Sequence, residues 1–149
     1  MHNLDYERQR SYELSVRATD GISGVYAEVT VSILVEDAND CYPVIERENY
    51  NITVPENLFL GSQILKLSAT DCDSGANAAL SYVIESINGD VDSELFYIDI
   101  ADGTLFLKHQ LNHEECKVYL LVISVNDHGT PSLRSRANVW ISGKIMIIT

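Results

Sequence analysis

Basic residues are scarce in this chain. Ten Lys and Arg stand against 22 Asp and Glu in 149 residues, a formal charge of −12. Phosphate binding needs clustered Lys and Arg, so the balance disfavours DNA and RNA as partners, and an anionic membrane surface for the same reason. Long hydrophobic runs are also lacking. No stretch approaches the roughly 20 apolar residues of a membrane helix, and the longest candidate is the C-terminal Ile145-Met146-Ile147-Ile148. The opening Met1-His2-Asn3-Leu4-Asp5 is polar, so neither a secretory leader nor an anchor is expected in this chain. Cysteine is limited to Cys41, Cys72 and Cys116. Their odd number and spacing give no disulfide framework and no zinc motif, and three free or buried thiols are expected ahead of one bridge with one thiol left over. Nucleophile elbows, glycine-rich phosphate loops and a Cys/His dyad are missing too, so no catalytic set is expected.

What is present is a hydrophobic content of 46%, too high for a wholly disordered chain, and a length that suits one domain, or one domain and a fragment, with a real core. The dominant period is two. Tyr12, Leu14, Val16 and Ala18 alternate with polar residues, as do Val29, Val31, Ile33 and Val35; Leu65, Leu67 and Ala69; Phe96, Ile98 and Ile100; and Tyr119, Leu121, Ile123 and Val125. Such alternation sets one face of a strand toward a core and the other toward water. Turn formers separate the runs: Asp20-Gly21, Asp73-Ser74-Gly75, Asn88-Gly89-Asp90, Asp102-Gly103 and Asp127-His128-Gly129. Helical periodicity is absent from any window longer than a turn or two. The class expected is all-β, a sandwich of short strands.

The pattern repeats. Leu4-Asp5-Tyr6-Glu7 precedes Tyr12, Leu14, Val16, Ala18 and Asp20; Leu111-Asn112-His113-Glu114 precedes Tyr119, Leu121, Ile123, Val125 and Asp127, at an offset of 107 residues (Leu111 against Leu4). That period is the size of a sandwich domain, so the chain reads as a segment of a tandem array. Residues 1–36 are expected to be the last two strands of one repeat, 37–43 a linker, 44–142 a nearly complete second repeat and 143–149 an atypical tail. An isolated hairpin leaves its apolar face without a partner sheet, so fraying or association through edges is expected of residues 1–36, and the β-prone tail adds to that tendency.

Acidic residues gather at strand ends and at the linker. Asp5, Glu7, Asp37, Asp40, Asp71, Asp73 and Asp127 supply seven carboxylates, and Asn39 adds a side-chain carbonyl. Unneutralised acids repel by about 1 kcal/mol per pair at roughly 4 Å in high dielectric. A hard cation taking 6–8 oxygen ligands offsets that, and Ca²⁺ suits mixed carboxylate and carbonyl sets. Each acid taken singly also reads as a turn former or a solvated charge. Asp71-Cys72-Asp73 resembles the start of an EF-hand loop, but Ala76 and Tyr82 stand where that loop needs Gly and an acid. His109 and His113 are four apart without a zinc-protease motif. Acid–base hydrolysis by paired carboxylates needs a substrate cleft that nothing in the sequence announces.

These residues together resemble extracellular cadherin repeats, over all but the last few positions. The carriers are Leu4-Asp5-Tyr6-Glu7, Ala18-Thr19-Asp20, Asp37-Ala38-Asn39-Asp40-Cys41, Pro55-Glu56-Asn57, Ala69-Thr70-Asp71-Cys72-Asp73, Ser74-Gly75-Ala76-Asn77-Ala78, Phe96-Tyr97-Ile98-Asp99 and Asp102-Gly103-Thr104-Leu105, in the family's order and spacing. Their style, with Asn126-Asp127-His128-Gly129-Thr130-Pro131, is similar to protocadherins and Fat-type cadherins. The resemblance implies a seven-stranded Greek-key, immunoglobulin-like sandwich and up to three Ca²⁺ at the linker. By motif position, Asp5 and Glu7 serve the two ions nearest the first repeat, joined by Asp37, Asp40 and the Ala38 carbonyl. Asn39 and the carbonyl of Cys41 face the third, Asp73 bridges ions, and Asp71, Asp127 and the Asn77 carbonyl complete the third ion's set. Cys41 stands where Asn is usual, tolerable if that ligand is a main-chain oxygen. The family's remaining Glu ligand lies before this chain's start, so the two inner ions are expected to bind weakly here. Glu56, Asn112 and Glu114 match positions serving a following linker, but Ile145–Thr149 carries no such motif, so no second complete site is expected.

The function implied is calcium-dependent cell–cell adhesion, with Ca²⁺ rigidifying the junction between tandem repeats on the extracellular side of the plasma membrane. The partners implied are other cadherin repeats of the same or a different protein, with no small-molecule substrate. A secreted non-adhesive decoy, and more remotely a β-sandwich hydrolase, are the alternatives. Asn51-Ile52-Thr53 is an N-glycosylation sequon, meaningful in an exported chain.

Overall fold

A computed structural model describes residues 2–112, 114 and 117–144. His113, Cys116 and the Ile145–Ile148 tail, each named above, lie outside the described residues. The chain divides into two compact units, Met1–Ala38 and Asn39–Thr149, and its regular structure is almost entirely β.

The first unit is a hairpin. β1 (Ser11–Thr19) and β2 (Tyr26–Leu34) pair antiparallel from Ser11↔Leu34 to Thr19↔Tyr26. Asp20 makes the turn: its carboxylate accepts the Ile22 amide at 2.9 Å and its carbonyl the Gly24 amide at 3.0 Å, the Asx geometry expected of that residue type. The register sets Leu14 opposite Val31 and Val16 opposite Val29, so the alternation produces one continuous apolar face. That face is not in a core. Leu14 and Val16 are 48% and 49% exposed, because two strands cannot enclose their own apolar side.

The second unit is a sandwich. β3 (Val44–Ile45) pairs with β6 (Ala69–Thr70). β4 (Asn49–Pro55), β11 (Arg134–Lys144), β10 (Val118–Asp127) and β7 (Leu80–Ile87) form a four-stranded sheet in that order. β5 (Gln63–Lys66), β9 (Thr104–Leu107) and β8 (Phe96–Ile98) form a three-stranded sheet. In β10, Tyr119, Leu121, Ile123 and Val125 are all buried, and the register sets Tyr119 against Ile141, Leu121 against Val139 and Ile123 against Ala137 of β11. Leu105 and Leu107 of β9 complete the core from the other sheet, with Leu67, Phe96 and Leu111. Burial of a Leu or Ile side chain contributes about 1.5–3 kcal/mol, so this layer is the main source of stability.

Two expected strands differ in detail. Leu65, Leu67 and Ala69 do not lie on one strand: the chain leaves β5 after Lys66 and joins a different sheet as β6. Gly103, at φ +76°, approaches this break so closely that an added Cβ would meet the Leu67 carbonyl at 2.8 Å, and the Leu67 amide donates to the Gly103 carbonyl at 3.0 Å. β8 ends at Ile98, and Ile100 lies exposed in the turn that follows. Among the described residues the only helical element is the single 3₁₀ turn Gly75–Asn77.

Candidate metal centre

Three segments of the second unit converge at the β6 end of the sandwich: residues 39–41, the turn 71–77, and the β10–β11 connection 127–133. β3–β6 pairing carries the first beside the second, through Val44↔Thr70 and Ile45↔Ala69. The Ser135 hydroxyl, donating to the Pro43 carbonyl at 2.5 Å, fixes the first segment to β11. The His128 amide donates to the Ala76 carbonyl at 3.0 Å and ties the third segment to the second.

Within this convergence the side chains of Asn39, Asp71 and Asp127 are each divided between two tasks. Asp127, 2% exposed, accepts at Oδ1 from the amides of Gly129 and Leu133 and from Asn39 Nδ2, each at 3.0 Å. Its Oδ2 is buried without a hydrogen-bond partner. Asn39 Nδ2 also donates to the Pro131 carbonyl at 2.8 Å. A carbonyl only accepts, which fixes the amide orientation and leaves Asn39 Oδ1 as the second buried oxygen without a partner. Asp71 Oδ1 accepts the Asp73 amide at 3.0 Å in an Asx turn, while its Oδ2 is the third such oxygen. Asp73, itself buried, accepts the Cys41 amide at Oδ2, at 3.0 Å.

Protonation does not relieve the charge on Asp127. Burial pushes its pKa up, but the amides of Gly129 and Leu133, with Asn39 and Ser132, outweigh burial and hold the carboxyl below the usual Asp range. An ionised carboxylate with one oxygen sealed from water and bonded to nothing is costly, and a buried charge is normally paired or bound to metal. The donor set is all oxygen: two or more carboxylates and an amide carbonyl. That composition fits a hard divalent cation of the Ca²⁺ type.

The other expected ligands are placed as follows. Asp40 is exposed between Asn39 and Cys41. Asn77 ends the 3₁₀ turn, its amide donating to the Ser74 carbonyl at 3.2 Å. In the first unit, Asp5 Oδ1 accepts the amides of Glu7 at 3.0 Å and Arg8 at 3.3 Å. Oxygens of Glu7 and Asp37 lie within 4.8 Å of each other, and Ala38 is exposed at that unit's end. Asn51 is exposed on β4, an edge strand.

Two features were not expected from the sequence. Cys41 and Cys72 are joined in a disulfide, Cα atoms 5.8 Å apart, so the expectation of three unbridged thiols is overturned. The Cα separation is ordinary for a bridge, but a sequence separation of 31 positions gives no local signal. The second is Gly129, on which Asn39 rests: a Cβ there would fall inside contact with the Asn39 side chain, meeting its Cβ at 2.9 Å. The glycine in Asp127-His128-Gly129 reads from sequence as a turn former, and its role as a seat for Asn39 becomes visible only in three dimensions.

Comparison with known proteins agrees with this architecture. The family described as Cadherin domain matches residues 50–142. A Fat-like cadherin-related tumor suppressor homolog of Drosophila melanogaster is 58% identical over 144 residues, covering 97% of this chain and 3% of its own length. Repeats EC1–3 of a mouse clustered protocadherin, PcdhgC3, superpose with a TM-score of 0.88 at 29% identity, covering 96% of this chain and 46% of that one. Extracellular cadherin domains 1–5 of Protocadherin Gamma B2 give 0.85 at 26% identity, over 99% and 28%. The chain thus spans only a small part of the curated relative and under half of either solved chain.

Proposed function

The chain belongs to the cadherin family, and from that membership we propose that it is a calcium-dependent adhesion module in which Asn39, Cys41, Asp71, Asp73, Asn77 and Asp127 hold Ca²⁺ and so stiffen the junction between tandem repeats. It is a cadherin-type adhesion module and not an enzyme. The reading is carried by one observation: Asn39 Oδ1, Asp71 Oδ2 and Asp127 Oδ2 are buried without hydrogen-bond partners, while the other terminal atom of each side chain is held in place. Bound at this site, Ca²⁺ supplies the positive charge and oxygen coordination these atoms lack.

The protein's own groups do the positioning. Asn39 Nδ2 spends both hydrogens on Asp127 and Pro131, which directs its carbonyl oxygen away from them. The amides of Gly129 and Leu133 keep Asp127 ionised and oriented. Asp5, Glu7, Asp37, Ala38 and Asp40 enter the proposal through their motif positions alone, and with them a count of up to three ions. The division into a repeat end (1–36), a linker (37–43), a repeat (44–142) and a tail (143–149) belongs to the same reading. So do an extracellular location at the plasma membrane, glycosylation at Asn51, and partners drawn from cadherin repeats of the same or another protein.

The mechanism is mass action: a cation bound only by the ordered site stabilises that order. Calorimetric melting of the 149-residue chain in Ca²⁺ and then in chelator tests it. At free Ca²⁺ about 100 times the dissociation constant the gain is about 2.7 kcal/mol, and Asp127→Asn is expected to abolish it. Identical melting in both buffers would sink the proposal.

A further inference from the structure

The Cys41–Cys72 bridge lies inside the site rather than beside it. Cys72 is flanked on both sides by Asp71 and Asp73, and Cys41 follows Asn39 by two residues. The bridge therefore joins the limb that carries Asn39 to the turn that carries two carboxylates. Sulfur of each cysteine and oxygens of Asp71 and Asp73 lie within 4.8 Å of one another. Other ties connect these limbs as well. One is the hydrogen bond from the Cys41 amide to Asp73, whose acceptor is itself a proposed ligand. Another is the two-pair β3–β6 ladder, which begins only at Val44. A covalent tie limits how far the two limbs can separate, more than hydrogen bonds alone do.

We propose that the Cys41–Cys72 disulfide is a positioning element of the cation site, holding Asn39 and the Cys41 backbone against Asp71 and Asp73 so that the site is assembled before the cation arrives. The inference rests on the cation reading above. Preorganisation raises affinity because binding no longer has to order the limb. With the bridge gone, Asn39 keeps its hydrogen bonds to Asp127 and Pro131, but the backbone at Cys41 must be ordered against the 71–73 turn by the cation itself, and affinity falls by about ten- to a hundredfold. Cys72 is exposed and Cys41 half-buried, so a small dithiol can exchange with the bridge, leaving two cysteine thiols as it is itself oxidised to a disulfide, and the site's affinity follows that exchange.

The experiment has two arms. Non-reducing digestion and mass spectrometry of the 149-residue chain, made under oxidising conditions, is expected to yield one peptide pair linking Cys41 to Cys72; two free thiols at these positions overturn the proposal. Calorimetric titration with CaCl₂ then compares the intact chain with Cys41→Ser/Cys72→Ser, folding being checked by far-UV circular dichroism in chelator. The expected result is unchanged stoichiometry at the second unit with affinity ten- to a hundredfold weaker. Affinities equal within about twofold in a folded variant overturn it. If that variant does not fold, the intact chain reduced with dithiothreitol and capped with iodoacetamide is titrated instead, with the same criteria. An intact, bridged chain that binds no Ca²⁺ refutes the cation reading and the clamp together, whereas an intact chain that binds, beside an equally binding variant, refutes the clamp alone.

Discussion

Gly129→Ala is the smallest perturbation that reaches the centre of the site. The backbone there is not in the left-handed region, so the cost is not one of strain; the added methyl simply occupies the space of the Asn39 side chain, whose Cβ would lie 2.9 Å away. Asn39 must swing out, and two hydrogen bonds go with it. One, to the ionised Asp127, contributes about 1.5–3 kcal/mol, and the other, to the Pro131 carbonyl, about 0.5–1.5 kcal/mol. Asp127 keeps two amide donors, which brings the expected loss in chelator to about 2–4 kcal/mol. At roughly 4 °C per kcal/mol for a unit of this size, melting falls by about 8–16 °C. In Ca²⁺ the fall is expected to be larger, because Asn39 Oδ1, a ligand in the proposal above, is also displaced. A double-mutant cycle isolates the cause. If Gly129→Ala acts only by displacing Asn39, it costs almost nothing once Asn39→Gly, which also removes the Cβ, is present, and the two changes are strongly non-additive. Melting of Gly129→Ala within about 1 °C of the parent, or simple additivity in the cycle, would refute the reasoning.

Two further outcomes separate the units and test the core. Leu121→Ala, at a fully buried position of β10, is expected to lower urea stability of the second unit by about 3 kcal/mol, while Leu14→Ala on the exposed hairpin face costs under about 1 kcal/mol; comparable costs would contradict the placement of the core. The Tyr82 phenol is held above the usual tyrosine range, first by burial and then by the nearby Asp102 carboxylate, against a backbone hydrogen bond at Ala69. Its folded-state pKa is raised, so the stability it contributes is whole below about pH 10 and is lost as pH rises through the higher folded value. An alkaline absorbance titration of the folded protein should show a late phenol contribution that is missing in Tyr82→Phe.

How far the sequence spoke depended on where a strand sits. β10 was legible because one of its faces meets the core while much of the other stays less buried, and so Tyr119, Leu121, Ile123 and Val125 stand out at period two. β9 was not: Thr104, Leu105 and Leu107 are buried and Phe106 is partly so, since the strand is central in its sheet and its residues serve both sides. β7 hides for another reason. Its register against β10 slips between Val122 and Ile123, and a slip breaks the alternation that announces a strand. Among the residues that the acidic motifs singled out, the structure hydrogen-bonds Asn39 to Asp127, Cys41 to Asp73 and Asp73 to Asp71. What stayed silent was the fixing of Asn39 by Asp127, and the bridge, because both depend on atoms brought together from positions 88 or 31 residues apart.

The pairing of β4 with β11 has a mechanical meaning. These two strands run parallel over seven positions, from Asn49 against Asn138 to Pro55 against Lys144. The repeat's first long strand therefore starts at one pole, and its last strand finishes at the other. Tension applied between those two points slides β4 along β11, so all the hydrogen bonds of the ladder take load at the same moment. An antiparallel pair pulled from adjacent ends would peel one bond at a time. The edge of this sheet is thus the element that sets how much pull the repeat withstands, and a proline placed within β4 would weaken it under force more than its effect on melting suggests.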